Sequence, residues 1–352
     1  MKEQNVMSLF DGMANGAEAM DLAKIPIKSY NASEIDIPAM KVAKYRFPHI
    51  NHIGDICNID PKDWTFIDII IGGSPCQSVS AAGSLKGMTT NDGQVVNSLG
   101  KYLLLKELGY GYNKKSLKYF NTSCLFWEYV RIYRGIKKYN PNVKFFLENV
   151  VNRFWGYLIT NEMGVNPIRI NSSVVIPQNR DRYYWTDIKY TPIPERRMTL
   201  NSIIPDAYSG AGSRGVPQKN WAKTPDNQTL HIQNATVRKD QLANCLTASG
   251  GKINRRYLPK SIHPDEFKRR FKLAVTRPER KQVIEDNLKC ITISQAEQLQ
   301  TVKIGYTDVP GVSQYQRFKM IGNGWTVAVI THFFKCFKLE IESKNMSFSY
   351  KS

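Results

Sequence analysis

Cysteine pairs, long apolar runs and a G-x-G-x-x-G fingerprint are all missing from this sequence. The six cysteines stand at scattered positions with no C-x-x-C pair, which argues against a zinc ribbon or disulfide framework and favours a reducing compartment. No stretch approaches the roughly 18 apolar residues of a membrane helix, and the first residues carry no signal-peptide pattern. We therefore expect a soluble, intracellular protein of the cytoplasm, without a metal site or a membrane partner.

Acidic residues are also in short supply. The chain of 352 residues carries 49 Lys and Arg against 30 Asp and Glu, a formal charge of +19, which indicates a polyanionic partner and favours nucleic acid. The excess is uneven, because residues 187–290 hold 20 basic against 10 acidic side chains and residues 101–150 hold 10 against 3. A merely solubilising surface would spread the charge evenly. The length allows one large core and a smaller lobe.

The segment 69–76 is the most informative stretch of the chain. Its β-branched run predicts a buried parallel strand, and Gly72 and Gly73 then allow a sharp turn before Pro75 and Cys76. Cys76 is thereby placed at the carboxyl end of a strand, where open α/β sheets bind their ligands. A thiol held there can act as a thiolate nucleophile, although a buried structural cysteine is the alternative.

The amino-terminal strands favour a nucleotide-type cofactor. A first strand at 6–10 is followed by Gly12 and Gly16 and then by a helical pattern, so backbone and helix terminus can approach a ligand. Glu34, at the tip of the next strand, suits two ribose hydroxyls, with a helix-capping role as the alternative. Asp55, after a third strand end, is placed to accept from an adenine amino group.

Two later segments bring further polar side chains. The apolar strand at 144–147 ends in Glu148, and partial desolvation there favours the protonated form that can donate a proton; a structural helix cap is the alternative. Alternation then predicts Gln178, Arg180 and Arg182 on one face of a strand. The two arginines could hold a base carbonyl and a phosphate, or form surface ion pairs.

Six motifs in this order resemble one enzyme family. S-L-F-D-G-x-x-x-G from residue 8 and G-G-S-P-C-Q from residue 72 are similar to motifs I and IV of the DNA (cytosine-5)-methyltransferases, the first especially to the eukaryotic de novo branch. E-N-V at 148–150, Q-x-R-x-R at 178–182, and segments 290–300 and 318–330 resemble motifs VI, VIII, IX and X. The chain is identified as a member of this family, of the bacterial or phage type, although Gln298 stands where the family usually has Arg.

The resemblance implies an α/β fold with a doubly wound, mostly parallel, Rossmann-like sheet and a small irregular target-recognition domain. The expected catalytic domain is 1–186, the recognition domain 187–289, and 290–342 returns to the catalytic domain, with its helix beside the first strand. Residues 343–352 are expected to be a frayed tail. Residues 94–121 match no motif, and they read either as a DNA-contacting insertion or as a packing hairpin. Phe267 to Lys272 interleaves aromatics with cations, which suits a duplex groove.

The implied reaction moves a methyl group from S-adenosyl-L-methionine to C5 of a flipped-out cytosine in a specific sequence of duplex DNA, leaving S-adenosyl-L-homocysteine. Cys76 would add to C6 as a covalent intermediate, and Glu148 would protonate N3. The other expected catalytic residues are Arg180 and Arg182. The expected cofactor contacts are Phe10, Asp11, Gly12, Ala14, Asn15, Gly16, Glu34, Ile35, Asp55, Ile56, Pro75, Leu125, Asn323 and Trp325. The expected DNA contacts are Gln77, Ser80, Lys252, Arg255 and Arg256.

The expected assembly is a monomer on double-stranded DNA, with a cognate restriction endonuclease as a further candidate partner. Three other interpretations stay open at this point. They are an RNA cytosine-5 methyltransferase of the same fold, a transferase of another group from a modified donor, and a catalytically silent DNA-binding relative. The last would be expected to lose Cys76 or Glu148, and both are present.

Overall fold

The computed structural model describes residues 2–76, 87–150, 153–214, 234–248 and 255–349. The chain forms two compact units. The first comprises Met1–Ile170, Asp181–Pro192 and Ile330–Ser352, and the second Asn171–Arg180 and Ile193–Val329. This division differs from the sequence-based one, because 290–329 lie in the second unit and only the residues from Ile330 onward return to the first.

A seven-stranded sheet runs through the first unit, in the order β3-β2-β1-β4-β5-β7-β6 within the described residues. The pairs from β3 to β5 are parallel, and β7 is antiparallel to β5. The order reverses between β1 and β4, which is the topological switch point of a doubly wound sheet. The predicted fold class is confirmed. The strands are β1 (Gln4–Leu9), β2 (Ile27–Ser33), β3 (Asn51–His52), β4 (Ile69–Gly72), β5 (Lys144–Asn149), β6 (Ile168–Asn171) and β7 (Asp181–Thr186).

The central strands are apolar on both faces, as parallel strands covered by helices must be. Every residue of 69–71 is fully buried, and so are Val6, Met7 and Leu9 of β1. The register places Leu9 beside Gly72 and Gly72 beside Leu147. The carboxyl ends of β1, β4 and β5 therefore lie along one edge of the sheet, and the residues that follow them emerge together.

Helices cover the sheet of the first unit. They are α1 (Asn15–Leu22), α2 (Ile37–Arg46), α3 (Leu99–Glu107), α4 (Phe126–Tyr139), α5 (Arg153–Met163) and, from Ile330 onward, α10 (Val327–Ser349). α4 is strongly amphipathic and buries Phe126, Trp127, Val130 and Ile132 completely.

The carboxyl-terminal helix α10 packs on β5 and β7. The rings of Phe333 and Phe334 lie 5.1 and 5.6 Å from that of Phe146, and Phe333 also contacts Tyr184. These ring contacts therefore go to β5 and β7, where the sequence had suggested the first strand. The helix continues to Ser349, and the frayed tail expected from 343 stays a prediction.

Residues 94–121, which match no motif, pack into the main core. Tyr102 and Leu105 of α3 are buried, and Phe120 is 1% exposed with its ring 4.9 Å from that of Tyr102. These apolar contacts support the packing interpretation of this segment.

The second unit contains an antiparallel sheet, in the order β11-β10-β8-β9 within the described residues. Its strands are β8 (Ala207–Arg214), β9 (Asn234–Val237), β10 (Arg256–Pro259) and β11 (Lys289–Cys290). Its helices are α6 (Pro264–Leu273), α7 (Arg277–Asn287), α8 (Ile293–Leu299) and α9 (Gln314–Asn323). The described part of 187–289 thus contains regular strands and helices, where the sequence indicated low regularity.

The run Phe267 to Lys272, which was expected to suit a duplex groove, lies on helix α6. Phe267 and Phe271 are four residues apart on α6, and both are buried in a small core with Leu258. Arg269 and Arg270 pair instead with Glu266, at 2.8 and 2.7 Å. The alternation of aromatics and cations is the period of a surface helix.

Among the described residues no helix is long and apolar enough to cross a membrane.

Candidate active site

Cys76 lies in the turn that follows β4. Gly73 leaves the sheet edge, Ser74 is buried, and Cys76 is half-buried against the main core. Gly72 lies so close to its neighbours that an added Cβ would sit 2.8 Å from the Leu9 carbonyl oxygen and 3.0 Å from the Tyr129 ring. Glycine is needed there because a side chain would push β4 away from β1 and from α4.

Asn149, at the end of β5, holds the turn that carries Cys76. Its side-chain amide donates to the Ser74 carbonyl oxygen at 3.1 Å and to Ser74 Oγ at 2.8 Å. Asn149 is 2% exposed and Ser74 5%, so the contact is shielded from water. Asn149 was not among the site residues predicted from sequence, although a polar side chain at the end of an apolar strand and beside Glu148 was the available signal.

Glu148 is paired with Arg182 beside this turn. Arg182 Nε lies 3.0 Å from Glu148 Oε1, and their side chains are 13% and 10% exposed. The register places Glu148 opposite Tyr184 on the antiparallel strand β7, and Arg182, two residues from Tyr184 on the same face, is the diagonal neighbour of Glu148. The carboxyl group therefore has a fixed orientation at the edge where Cys76 emerges.

Gln178 and Arg180 do not share the face of Arg182, so that prediction is wrong. β7 begins at Asp181, and both residues precede it within the second unit. Arg180 is 2% exposed, and it donates to the carbonyl oxygens of Leu246, Gly322 and Gly324 at 2.9, 3.2 and 2.7 Å. A guanidinium bound to three backbone carbonyls supports loops of its own unit, which argues against direct contact with a base.

The turn between β1 and α1 has an unusual backbone. Phe10, Gly12 and Ala14 all adopt left-handed conformations, with φ of 59°, 62° and 64°. Two non-glycine residues in this region carry strain, which is concentrated at functional sites. Backbone N–H groups tie the turn to the end of β2, because Asp11 N donates to the Ser33 carbonyl oxygen at 3.1 Å and Gly12 N to Glu34 Oε2 at 2.9 Å.

Asp11 is buried inside this turn. Its Oδ1 accepts hydrogen bonds from Ser8 Oγ at 2.6 Å and Tyr30 Oη at 2.7 Å. Burial raises the pKa of Asp11 to about 7, against the opposing effect of these two hydroxyl donors. Within the described residues Oδ2 is buried and receives no hydrogen bond. A buried acceptor without a donor is costly, and it fits a ligand that brings a donor such as an ammonium group.

Glu34 and Asp55 follow β2 and β3 as the sequence predicted. Glu34 Oε1 accepts from the backbone N–H groups of Ile35 and Asp36, both at 2.7 Å, so its carboxylate is held at the sheet edge. Asp55 caps a 3₁₀ turn (Ile56–Asn58) and accepts from Cys57 N at 2.9 Å. The ribose-binding and the helix-capping interpretations of Glu34 are thus compatible with each other, because the carboxylate that accepts from Ile35 N and Asp36 N also lies against the β1–α1 turn.

The other predicted residues are spread over both units. In the first unit, Pro75 and Leu125 are half-buried and Ile56 is buried. Asn15 and Gly16 begin α1 and are buried. The second unit contains Arg255, Arg256, Asn323 and Trp325. The predicted DNA contacts Gln77, Ser80 and Lys252 lie outside the described residues.

Two other cysteines of the first unit are poor candidates for nucleophiles. Burial raises the pKa of the Cys57 thiol to about 12, helped by Glu128 and Asp55 nearby. Burial also raises the pKa of Cys124 well above its ordinary value. Both groups therefore stay protonated near neutral pH. No group of three or more His, Cys, Asp or Glu side chains suited to a metal ion occurs among the described residues.

Comparison with known proteins agrees with this geometry. Residues 4–106, which contain the β1–α1 turn and Cys76, match the family model of the C-5 cytosine-specific DNA methylases. The resemblance to DNA (cytosine-5)-methyltransferases is confirmed.

The individual methyltransferases that this chain resembles have low sequence identity to it. The chain is 28% identical over 207 residues to the orphan methyltransferase M.SPRI of Bacillus phage SPR, covering 57% of this chain and 41% of that protein. It is 29% identical over 215 residues to the Type II methyltransferase M1.ScrFI of Lactococcus lactis subsp. cremoris, covering 52% and 45%. The matches thus span less than half the length of either relative.

Solved methyltransferase structures share the fold. The Entamoeba histolytica methyltransferase EhMeth superposes with a TM-score of 0.59 at 15% identity, covering 97% of this chain and 99% of that one. At this level of identity the likeness concerns the fold alone. The segments of this chain that resemble motifs I, IV and VI of the methyltransferases meet at one edge of the sheet in the first unit.

Proposed function

We propose that this protein is a DNA (cytosine-5)-methyltransferase that uses S-adenosyl-L-methionine. The observation that carries the proposal is the shared sheet edge, where Cys76, the Glu148–Arg182 pair and the β1–α1 turn follow neighbouring strands. A nucleophile, a proton donor and a nucleotide-type turn at one switch point are what this reaction needs.

The cofactor would be held by the β1–α1 turn and the ends of β2 and β3. Asp11 Oδ2 offers a buried acceptor, and Glu34 and Asp55 offer carboxylates at the tips of successive strands. This donor and acceptor set fits an adenosyl group with an ammonium-bearing tail. When bound, the cofactor supplies an electrophilic methyl group.

The residues of the chain would perform the remaining chemistry. Cytosine C5 is a weak nucleophile, so the Cys76 thiolate first adds to C6 while Glu148 delivers a proton to N3. The enamine that results carries electron density to C5, which takes the methyl group. Loss of the C5 proton to a base then restores the C5–C6 double bond and expels the Cys76 sulfur as a thiolate, and the N3 proton returns to the Glu148 carboxylate. Arg182 keeps the Glu148 carboxyl group oriented throughout.

The substrate would be duplex DNA with the target cytosine flipped out, because a stacked base cannot reach a thiol in a strand-end turn. The formal charge of +19 supports a phosphate-rich partner. One relative is named a Type II methyltransferase, which supports pairing with a restriction endonuclease, whereas another is named an orphan methyltransferase, which supports a solitary enzyme. We propose a monomer acting inside the cell.

The test is bisulfite sequencing of plasmid DNA from cells that express the protein. We expect protected cytosines at one recurring sequence, and none in cells that express Cys76→Ser at equal level. Complete conversion of all cytosines in the presence of folded wild-type protein would contradict the proposal.

A further inference from the structure

Glu128 on α4 is a fully buried carboxylate that plays no part in the proposed chemistry. Its side chain is 0% exposed. Three donors surround it: Tyr102 Oη at 2.6 Å, Lys106 Nζ at 2.7 Å and Arg131 Nε at 2.5 Å. Two of these donors, Tyr102 and Lys106, come from α3 in the segment 94–121.

A buried ion cluster of this kind is not explained by stability alone. Taking charges out of water is costly, and well-packed apolar replacements are often at least as stable. The cluster does, however, fix the plane of a guanidinium group. With Nε bound to Glu128, the Nη2 group of Arg131 donates to the Ile56 carbonyl oxygen at 3.4 Å.

Ile56 begins the 3₁₀ turn that Asp55 caps. Asp55 and Ile56 are the residues expected to contact adenine. Arg131 therefore binds the backbone of the turn that carries both residues. Recognition of an amino group by hydrogen bonds depends on placing the acceptor to within about 0.5 Å. The Glu128 cluster therefore connects segment 94–121 to the turn that is expected to contact the adenine of the cofactor.

We propose that Glu128 and Arg131 are positioning residues that set how the Asp55–Ile56 turn reads the adenine of the cofactor, with Tyr102 and Lys106 coupling segment 94–121 to that turn. This inference rests on the proposed function, because it assumes an adenosyl ligand at the sheet edge.

The test compares, by isothermal titration calorimetry, the affinities for S-adenosylhomocysteine and S-inosylhomocysteine, in which an oxo group at C6 and a proton on N1 replace the amino group of adenine. We expect the wild type to prefer the adenosyl compound. In Arg131→Lys the ammonium still pairs with Glu128, but it lacks the planar fork that reaches Ile56. The preference should therefore fall by about tenfold or more, because the unpaired amino group is no longer read at its correct position.

Two further variants separate positioning from folding. Tyr102→Phe removes one donor to Glu128 and keeps the ring, so it should lower the preference by a smaller factor. Arg134→Lys is the matched control, because Arg134 lies on the same helix and pairs with Glu162 at a more exposed site; it should keep the wild-type ratio.

The outcomes distinguish this inference from the proposed function. A folded Arg131→Lys protein with the wild-type ratio would overturn the positioning role while leaving methyl transfer intact. A wild-type protein that binds both compounds equally would overturn the adenine reading. A wild-type protein that binds neither would overturn the proposed function itself.

Discussion

Single side chains at the ends of β4 and β5 carry the proposed chemistry. Glu148 directly follows an apolar run and Cys76 follows another after a short glycine turn, which is why both were predicted from sequence; the parallel register then brings both to one edge. Arg180 could not be assigned in the same way. Its three carbonyl acceptors lie 66, 142 and 144 positions away in sequence, and no local pattern reveals such partners.

Replacing Glu148 with glutamine should remove the proton donor while keeping the shape of the side chain. We expect Glu148→Gln to lower the rate of methyl transfer by roughly 10²-fold or more, with little change in DNA affinity. Single-turnover incorporation of labelled methyl groups and a filter-binding assay measure the two quantities. Glu162→Gln, at an ion pair on α5, serves as the control. An equal loss of rate and affinity would make Glu148 a structural residue.

Asp11 should make stability depend on pH. Its pKa rises from an ordinary 3.8 to about 7 in the folded protein, so between these values the folded state binds more protons than the unfolded state. The free energy of unfolding should therefore fall as the pH rises from about 4 to about 7. In Asp11→Asn this slope should flatten, as measured by urea unfolding across the range.

The matched control for Asp11 is Asp21→Asn, at an exposed position on α1. It should keep the wild-type slope. An Asp11→Asn protein whose pH dependence equals that of the wild type would show that Asp11 does not hold a proton in the folded state.

Among whole elements, the parallel strands were the easiest to predict and the helices of the second unit the hardest. β1, β4 and β5 are short apolar runs that end in glycine or polar residues, and both features are local. α6 and α7 carry so many charged residues that only two buried phenylalanines mark the inner face of α6. The two helices pack on each other and on Leu258 of β10 and Ala211 of β8, so the apolar period within either helix alone was too sparse to recognise.

Close packing of β4 makes a clear prediction for Gly72. In Gly72→Ala the new methyl group would meet the Leu9 carbonyl oxygen and the Tyr129 ring, so we expect a loss of about 1–3 kcal/mol in the free energy of unfolding. Gly100→Ala is the matched control, because Gly100 lies in α3 with no atom within 4 Å of the added Cβ. Chemical denaturation should show that variant to be unchanged or more stable, by up to about 1 kcal/mol. Equal stability of both variants would contradict the close approach.

For the molecule as a whole, we expect general affinity for DNA to depend on charge and the choice of target sequence to depend on contacts with base edges. Composition revealed the basic surplus of residues 187–289, but it could not reveal which of those side chains meet bases. Affinity for duplex DNA should fall steeply with salt, by a log–log slope of about 0.9 for each neutralised phosphate. Base-edge contacts should instead discriminate sequences by about 1–3 kcal/mol each.

Exchange of residues 187–289 for the matching segment of another family member should therefore transfer target choice and preserve the chemistry of Cys76. Sequencing of the sites methylated by the chimera measures this. A folded, active chimera that keeps the original target would place recognition elsewhere in the chain, with segment 94–121 as the next candidate.

The central claim is that Cys76 bonds to the target base, and one gel tests it most directly. Duplex DNA in which 5-fluorocytosine replaces the target cytosine is incubated with the protein and S-adenosyl-L-methionine, and then separated under denaturing conditions. Fluorine cannot leave C5 as a cation, so elimination stalls with the sulfur still bonded to C6. We predict a slow-migrating protein–DNA band for the wild type and for Cys290→Ser, whose cysteine is exposed in the second unit, and no such band for Cys76→Ser. Absence of the band from active wild-type enzyme, or its persistence in Cys76→Ser, would contradict the account.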